Sequence, residues 1–344
     1  MSSFNYSENF YKKGLCGLEN IGNTCYMNSI IQCLSSNHEF TKFFINEEYK
    51  DHLNNNDDCI LLIEQWVNLL KGLYKKNYII EPSSFHRVFV QLSNNKSIDI
   101  FNGFNQNDSQ EFLQFLIESI HNGLSKKVIM DITGKPENDL DLMAIEACKT
   151  WKLYFKNDFS IIIDMFNGQY ISKIQTIDDT SFISNTYDPF SIISLEIPRL
   201  NKKINIYDCF DYFTKKECLE EFKQNCEDNK NYTREINLWK TPKYLIIFFK
   251  RFDKNGLKIF DLIDYPINGL NLNKYVKGYD KENNIFDLYA ISNHHGTLNG
   301  GHYWAYTKNY DGLWYKYDDN RVYNQDIDDL VTKNNYCLFY KKIN

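Results

Sequence analysis

The chain has 344 residues, 43% of them hydrophobic and 24% charged, which is enough apolar material for a substantial core. Its formal net charge of −6 argues against the basic surface of a nucleic-acid or anionic-membrane binder, and no apolar run approaches the length of a membrane span. Nine cysteines without framework spacing, behind an N-terminus (MSSFNYSENFYKK) without an apolar segment, give no expectation of a disulfide-stapled secreted domain. Free thiols in a reducing compartment, the cytoplasm or nucleus, are expected instead.

In chain order, the first half reads as helices. Within ENIGNTCYMNSIIQCL (19–34), Met27, Ile30, Ile31 and Leu34 stand at i, i+3, i+4 and i+7, the stripe of a helix burying one face. Cys25 falls in its first turn, where free backbone N–H groups and the helix dipole favour a thiolate. Further helices are expected over 59–73, 82–92, 107–124 and 141–155. In the 107–124 helix, Asp108 followed by Glu111 is close to a capping box.

From about residue 166 the texture changes to short β-like runs: GQYISKI, FSIISLEI, YLIIFFKRF, FDLYAIS, HYWAYTK, LWYKYD and YCLFYKK. A polar stretch over 207–235, partly helical in pattern, separates the second and third of these. Helices first and antiparallel strands second predict an α+β architecture, and no internal repeat is present.

A cysteine nucleophile needs a base and a group that orients it. Of seven histidines, only His294, His295 and His302 adjoin a glycine-rich turn, in NHHGTLNGGHYWAY. His302 follows Gly300-Gly301 and opens a strand in which it alternates with Tyr303. Sixteen residues later, LWYKYDDNRV places Asp318 and Asp319 at the end of the next strand, and the short 311–314 turn allows a hairpin that sets Asp318 beside His302. Asn20, five residues before Cys25, is a carboxamide donor able to reach an oxyanion. On spacing alone a second reading stands for each residue. Cys25 fits a buried structural cysteine, His302 a satisfied strand histidine, Asp318-Asp319 a turn, and Asp108 with Glu111 a helix cap.

GLENIGNTCYMNSIIQCL resembles the Cys box of the ubiquitin-specific proteases, a papain-like family of deubiquitinating cysteine proteases. Six further landmarks follow in that family's order: NQNDSQEFLQFL, FNGQYISKI, YDPFSIISLEIP, TPKYLIIFFKRF, YAISNHHGTLNGGHYWAY and LWYKYDDNRV. The match runs from about Gly14 to Tyr340. The resemblance implies a short tail (1–13) and one catalytic domain (14–344) of thumb, palm and fingers. The thumb spans about 14–165 and the fingers about 168–240; the palm spans about 241–344 with parts of 187–198. It implies Cys25 as nucleophile, His302 as base, Asp318 as orienting acid, Asn20 as oxyanion donor and Asp319 as an auxiliary to the third role. Asp108 and Glu111 match acidic positions that hold the basic C-terminal tail of ubiquitin. His294 is expected to begin a loop overhanging that tail, and Tyr303 to line its channel.

The implied reaction is hydrolysis after the terminal Gly-Gly of ubiquitin, with ubiquitin and ubiquitinated proteins as partners, no cofactor and a monomeric enzyme. Many relatives bind zinc in the fingers through two CxxC pairs. Here those positions fall near Thr176 and Asp179 and near Cys226 and Asn229, while Cys209 and Cys218 lack the spacing, so no structural zinc is expected. Two rival readings are a protease for another ubiquitin-like modifier and a ubiquitin-binding scaffold without catalysis.

Overall fold

The computed structural model describes residues 13–343 apart from 55–56, 76, 104, 178–181, 220–231 and 298–299. Its helices are α1 (Cys25–Ser35), α2 (His38–Ile45), α3 (Ile60–Lys75), α4 (Ser83–Asn95), α5 (Ser109–Leu124), α6 (Asp139–Phe155), α7 (Ile161–Phe166) and α8 (Ile206–Phe213). Five of the eight match the helical spans expected from periodicity. The short α2 and α7 were not anticipated; they are started by Asn37 and Ser160, whose side chains accept from Phe40 and Ile162 backbone N–H groups.

Helix α1 departs from its expected one-sided burial: all eleven of its residues are buried. Apart from Asn28 Oδ1, which has no hydrogen-bond partner among the described residues, its polar side chains are hydrogen-bonded instead of hydrated. Gln32 Nε2 donates to the Cys16 carbonyl at 2.8 Å, and the Ser29 and Ser292 hydroxyls lie 2.9 Å apart. The apolar stripe faces the other helices, and the polar face is covered by the sheet.

That sheet has eight strands. Its main path runs β16 (Arg321–Gln325), β15 (Trp314–Asp318), β14 (Gly300–Lys308), β13 (Ile285–Thr297), β17 (Asn335–Lys342), β10 (Tyr244–Lys250) and β6 (Ile192–Glu196), with β12 (Leu270–Asn271) beside β13. Pairing is antiparallel except between β10 and β6, where Ile246 stands opposite Ile192 in parallel register. The continuous apolar run of β10 has a direct cause. Tyr244, Ile246 and Phe248 enter the core shared with the helices, while Leu245, Ile247 and Phe249 enter a second core on the opposite face, under α8. A strand buried on both faces needs no alternation.

A five-stranded sheet projects from this body: β4 (Phe182–Thr186), β3 (Gly168–Thr176), β9 (Tyr232–Lys240) and β8 (Glu217–Leu219), with β5 (Pro189–Phe190) on β3. β9 begins inside the polar stretch, which carried no strand signal. Two parallel pairs complete the fold, β1 (Gly17–Leu18) with β2 (Ile79–Ile80) and β7 (Ile204–Asn205) with β11 (Ile263–Asp264). No helix among the described residues is long and apolar enough to cross a membrane.

Candidate active site

The nucleophile end is built by a turn that caps itself. Asn20 Oδ1 accepts the backbone N–H groups of Gly22 at 3.2 Å and Thr24 at 3.1 Å, while Thr24 Oγ1 accepts that of Ile21. Asn23 takes φ 55°, a left-handed value that asparagine tolerates. With its oxygen fixed, Asn20 must present its amino group outward, and Nδ2 donates to Asp319 Oδ2 at 2.9 Å. One N–H uses that acceptor and the second is left to donate elsewhere. Cys25 is the first residue of α1, 3% exposed, at the end where backbone N–H groups have no intrahelical partner.

The base end is built by the β13–β14–β15 meander. Ala305 pairs with Tyr317 and Thr307 with Tyr315, so the hairpin brings the end of β15 back beside the start of β14. His302 Nε2 lies 2.6 Å from Asp318 Oδ1. Asp318 raises the His302 imidazole to about 10, and the hydrogen-bonded Cys25 thiol adds to the effect. Reciprocally, His302 holds Asp318 down at about 2, with Lys316 assisting. Both shifts favour the charged pair, so an imidazolium stands against the Cys25 sulfur, the setting that stabilises a thiolate. Nε2 faces Asp318, which leaves Nδ1 for the thiol.

Asp318 and Asp319 are adjacent yet face different partners. Asp319 has φ 50° at the β15–β16 turn, which swings its carboxylate away from His302. Its two oxygens accept from Asn20 Nδ2 and, at 2.9 Å, from Asn28 Nδ2. The structure therefore puts Asp319 on the Asn20 side of the site. Gly17 permits this docking: a Cβ there would lie 2.3 Å from the Asn320 carbonyl oxygen.

The expected tail-binding residues are placed less uniformly. Asp108 caps α5, Oδ1 accepting from Gln110 N at 2.7 Å without the reciprocal Glu111 bond of a capping box. Its second oxygen accepts from Tyr336 OH at 2.7 Å. That carboxylate is consequently engaged at both oxygens. Burial raises the carboxyl of Asp108, and burial together with Asp108 raises that of the exposed Glu111.

His294 needs correction. It does not begin an overhanging loop but lies inside β13, 3% exposed, with its ring stacked 4.4 Å from that of Tyr303. Lys258 Nζ sits 3.0 Å from His294 Nδ1 and 2.6 Å from its carbonyl oxygen. Burial, and then Lys258, push the imidazole down to about 3, so it is neutral. The cause of the misplacement is the β13–β14 pairing, which extends to Thr297 and Gly300 and absorbs the residues expected to form the loop. Tyr303 is buried between His294 and Tyr336.

Gly301 is closely covered. A Cβ there would lie 2.4 Å from His294 Nε2, and Gln106 already spans to it, donating to the Gly301 carbonyl at 2.8 Å and accepting its N–H. Gln106, Asn28, Lys258 and Lys316 are site neighbours that sequence reading did not select. Two carried a usable signal. Asn28 lies about one helical turn from Cys25, and Lys316 shares the β15 face of Asp318.

No group of three or more His, Cys, Asp or Glu suited to a metal exists among the described residues. Asp179, Cys226 and Asn229 lie outside them. Cys209 is sealed in the second core and Cys218 is exposed on β8, so these two do not assemble a thiolate set.

The family described as "Ubiquitin carboxyl-terminal hydrolase" matches residues 16–340. Ubiquitin carboxyl-terminal hydrolase 4 of Saccharomyces cerevisiae is 33% identical over 99% of this chain and 40% of its own length. Ubiquitin carboxyl-terminal hydrolase 2 of Homo sapiens is 31% identical over 96% of this chain and 55% of its own. The chain thus spans about half the length of the relatives it matches. Among solved structures, a chain of the SAGA Ubp8/Sgf11/Sus1/Sgf73 DUB module bound to ubiquitin aldehyde superposes with TM-score 0.73 at 27% identity, covering 97% of this chain and 70% of that one. A self-capped Cys25 turn, a Cys–His–Asp contact and an α+β body of this topology agree with those likenesses: the chain belongs to the ubiquitin carboxyl-terminal hydrolase family, with the papain-like fold of its ubiquitin-specific proteases.

Proposed function

We propose that the chain is a thiol deubiquitinase that hydrolyses isopeptide or peptide bonds after the C-terminal Gly-Gly of ubiquitin. The observation that carries this reading is the junction of Cys25, His302 and Asp318 next to an Asn20 amide that retains one uncommitted N–H. In the proposed cycle the Cys25 thiolate attacks the carbonyl carbon. The Asn20 amide and the N-terminal N–H groups of α1 stabilise the oxyanion. His302 delivers its Nδ1 proton to the leaving amine, and then takes one from the water that releases ubiquitin from the acyl-enzyme.

In this reading residues 14–165 form the thumb, about 168–240 the fingers, and 241–344 with parts of 187–198 the palm. Asp108 and Glu111 attract the basic ubiquitin tail, which passes Tyr303 and displaces Gln106 from Gly301. Asp319 serves Asn20. Because one chain supplies every group, the proposed unit is a monomer working in the cytoplasm or nucleus; light scattering and imaging of a tagged chain test those two points.

Ubiquitin carrying a C-terminal alkyne electrophile tests the activity. Wild type is expected to gain the mass of one ubiquitin and Cys25→Ala none. Preferential labelling by another ubiquitin-like modifier would redirect the substrate assignment. Measurable ubiquitin binding without any adduct would overturn the reading in favour of a scaffold.

A further inference from the structure

The Asp318 carboxylate is gripped from two sides. Oδ1 meets His302 Nε2 at 2.6 Å, and Oδ2 meets Lys316 Nζ at 2.7 Å. Lys316 and Asp318 are two apart on β15 and so share a face, on which Lys316 stands opposite Tyr306. Lys316 Nζ also lies 5.2 Å over the ring of Trp304, and that ring is within 21° of parallel to His302. The cation is thereby fixed by an aromatic face as well as by a carboxylate.

An aspartate carboxylate turns easily, because its terminal torsion is broad and two-fold. With Oδ2 held by an ammonium group that is itself seated on Trp304, the group keeps one orientation. The lysine side chain is 30% exposed, a setting in which an ion pair adds little to stability. Its consequence must be sought in geometry instead. Other charges nearby do not compete for Asp318: Asp319 is bound to Asn20 and Asn28, and Cys25 faces His302 from α1. Arg321, the register partner of Asp318 on β16, is exposed.

We propose that Lys316 is a positioning residue of the catalytic site, holding Asp318 so that Oδ1 stays on His302. Its kinetic consequence rests on the deubiquitinase reading; its geometric consequence does not. Lys316→Met is expected to lower kcat on a ubiquitin C-terminal fluorogenic substrate roughly tenfold with KM unchanged, as misorientation of a catalytic group does. Lys316→Arg restores the rate to within about twofold, since it keeps both charge and donor. In an Asp318→Asn background Lys316→Met costs nothing further, because the group it orients has already lost its charge.

The readout independent of activity is the low-field proton resonance of the His302 Nε2–H···Oδ1 bond. It is expected in wild type and Lys316→Arg and exchange-broadened in Lys316→Met, with melting temperatures within about 2 °C. A wild-type rate, an undisturbed His302 resonance in Lys316→Met, or an equal loss in the Asp318→Asn background overturns the proposal. Failure of wild type itself to react with ubiquitin would remove the deubiquitinase reading while the resonance still decides the role of Lys316.

Discussion

At the seam between the helices and the eight-stranded sheet, Asp319 accepts from two amides far away in sequence, Asn20 at the exposed edge and the buried Asn28, each at 2.9 Å. In the five-stranded sheet the arrangement is different. Along β3 only Gly168, Gln169, Ile171 and Thr176 are buried, and the cross-strand Arg234–Glu217 pair has side chains 42% and 63% exposed. That sheet is anchored by Phe190 and Leu238 in the second core and by a small cluster of Ala147, Ile171, Tyr187 and Trp239, and beyond these by its backbone ladder. The seam fixes orientation through paired polar groups that are costly to leave unmatched, whereas the projecting sheet gives a surface whose side chains are individually dispensable.

Breaking the seam at its charged pair should have the largest effect. Asp318→Asn is expected to reduce kcat by about 10²–10⁴-fold, since it loses the anion that holds His302 in its imidazolium form and orientation. In a pH–rate profile its alkaline limb should move down from near 10, the wild-type position of His302. Stability follows the same pair. For Asp318, held near 2 against an ordinary 3.8, the contribution is complete above 3.8 and lost as pH falls through 2. For His302, raised from 6.5 to about 10, it is complete below 6.5 and lost as pH rises through 10. The melting-temperature gap between wild type and Asp318→Asn should therefore be widest between pH 3.8 and 6.5 and narrow on either side.

Asp319→Gly separates the two neighbouring carboxylates. Glycine accepts φ 50° without strain, so the change deletes the support of Asn20 while sparing the turn. A fall in kcat on the order of 10² is expected with ubiquitin affinity retained, as for loss of an oxyanion donor. A shift of the alkaline limb in this variant would place Asp319 on His302 after all. The smallest effect belongs to the projecting sheet. Glu217→Gln should change unfolding free energy in urea by less than about 0.5 kcal/mol and leave kcat unaltered.

Much of this contrast could be read beforehand, where the controlling interactions are local. The i, i+3, i+4, i+7 stripe located α1 and put Cys25 at its start, and the short 311–314 turn set β14 against β15, so the approach of Asp318 to His302 followed from hairpin geometry over sixteen residues. β9 was missed because its first half, Tyr232 to Ile236, is mostly half-buried and charged and therefore carries no period-two signal. His294 was misplaced for another reason: the family resemblance implied a loop beginning there, where long strand pairing prevails.

What the sequence by itself determined is most of the longer elements and the chemistry each carries, since periodicity, capping and short turns depend on near neighbours. Tertiary structure alone decided which groups share a proton, an oxygen or a stacked face. It buried both sides of α1, divided Asp318 and Asp319 between His302 and Asn20, seated Lys316 on Trp304, and spanned Gly301 with Gln106. Those outcomes depend on the docking of surfaces separated by up to about 300 residues, and an apolar pattern records only that a face is covered, not which polar partner covers the other one.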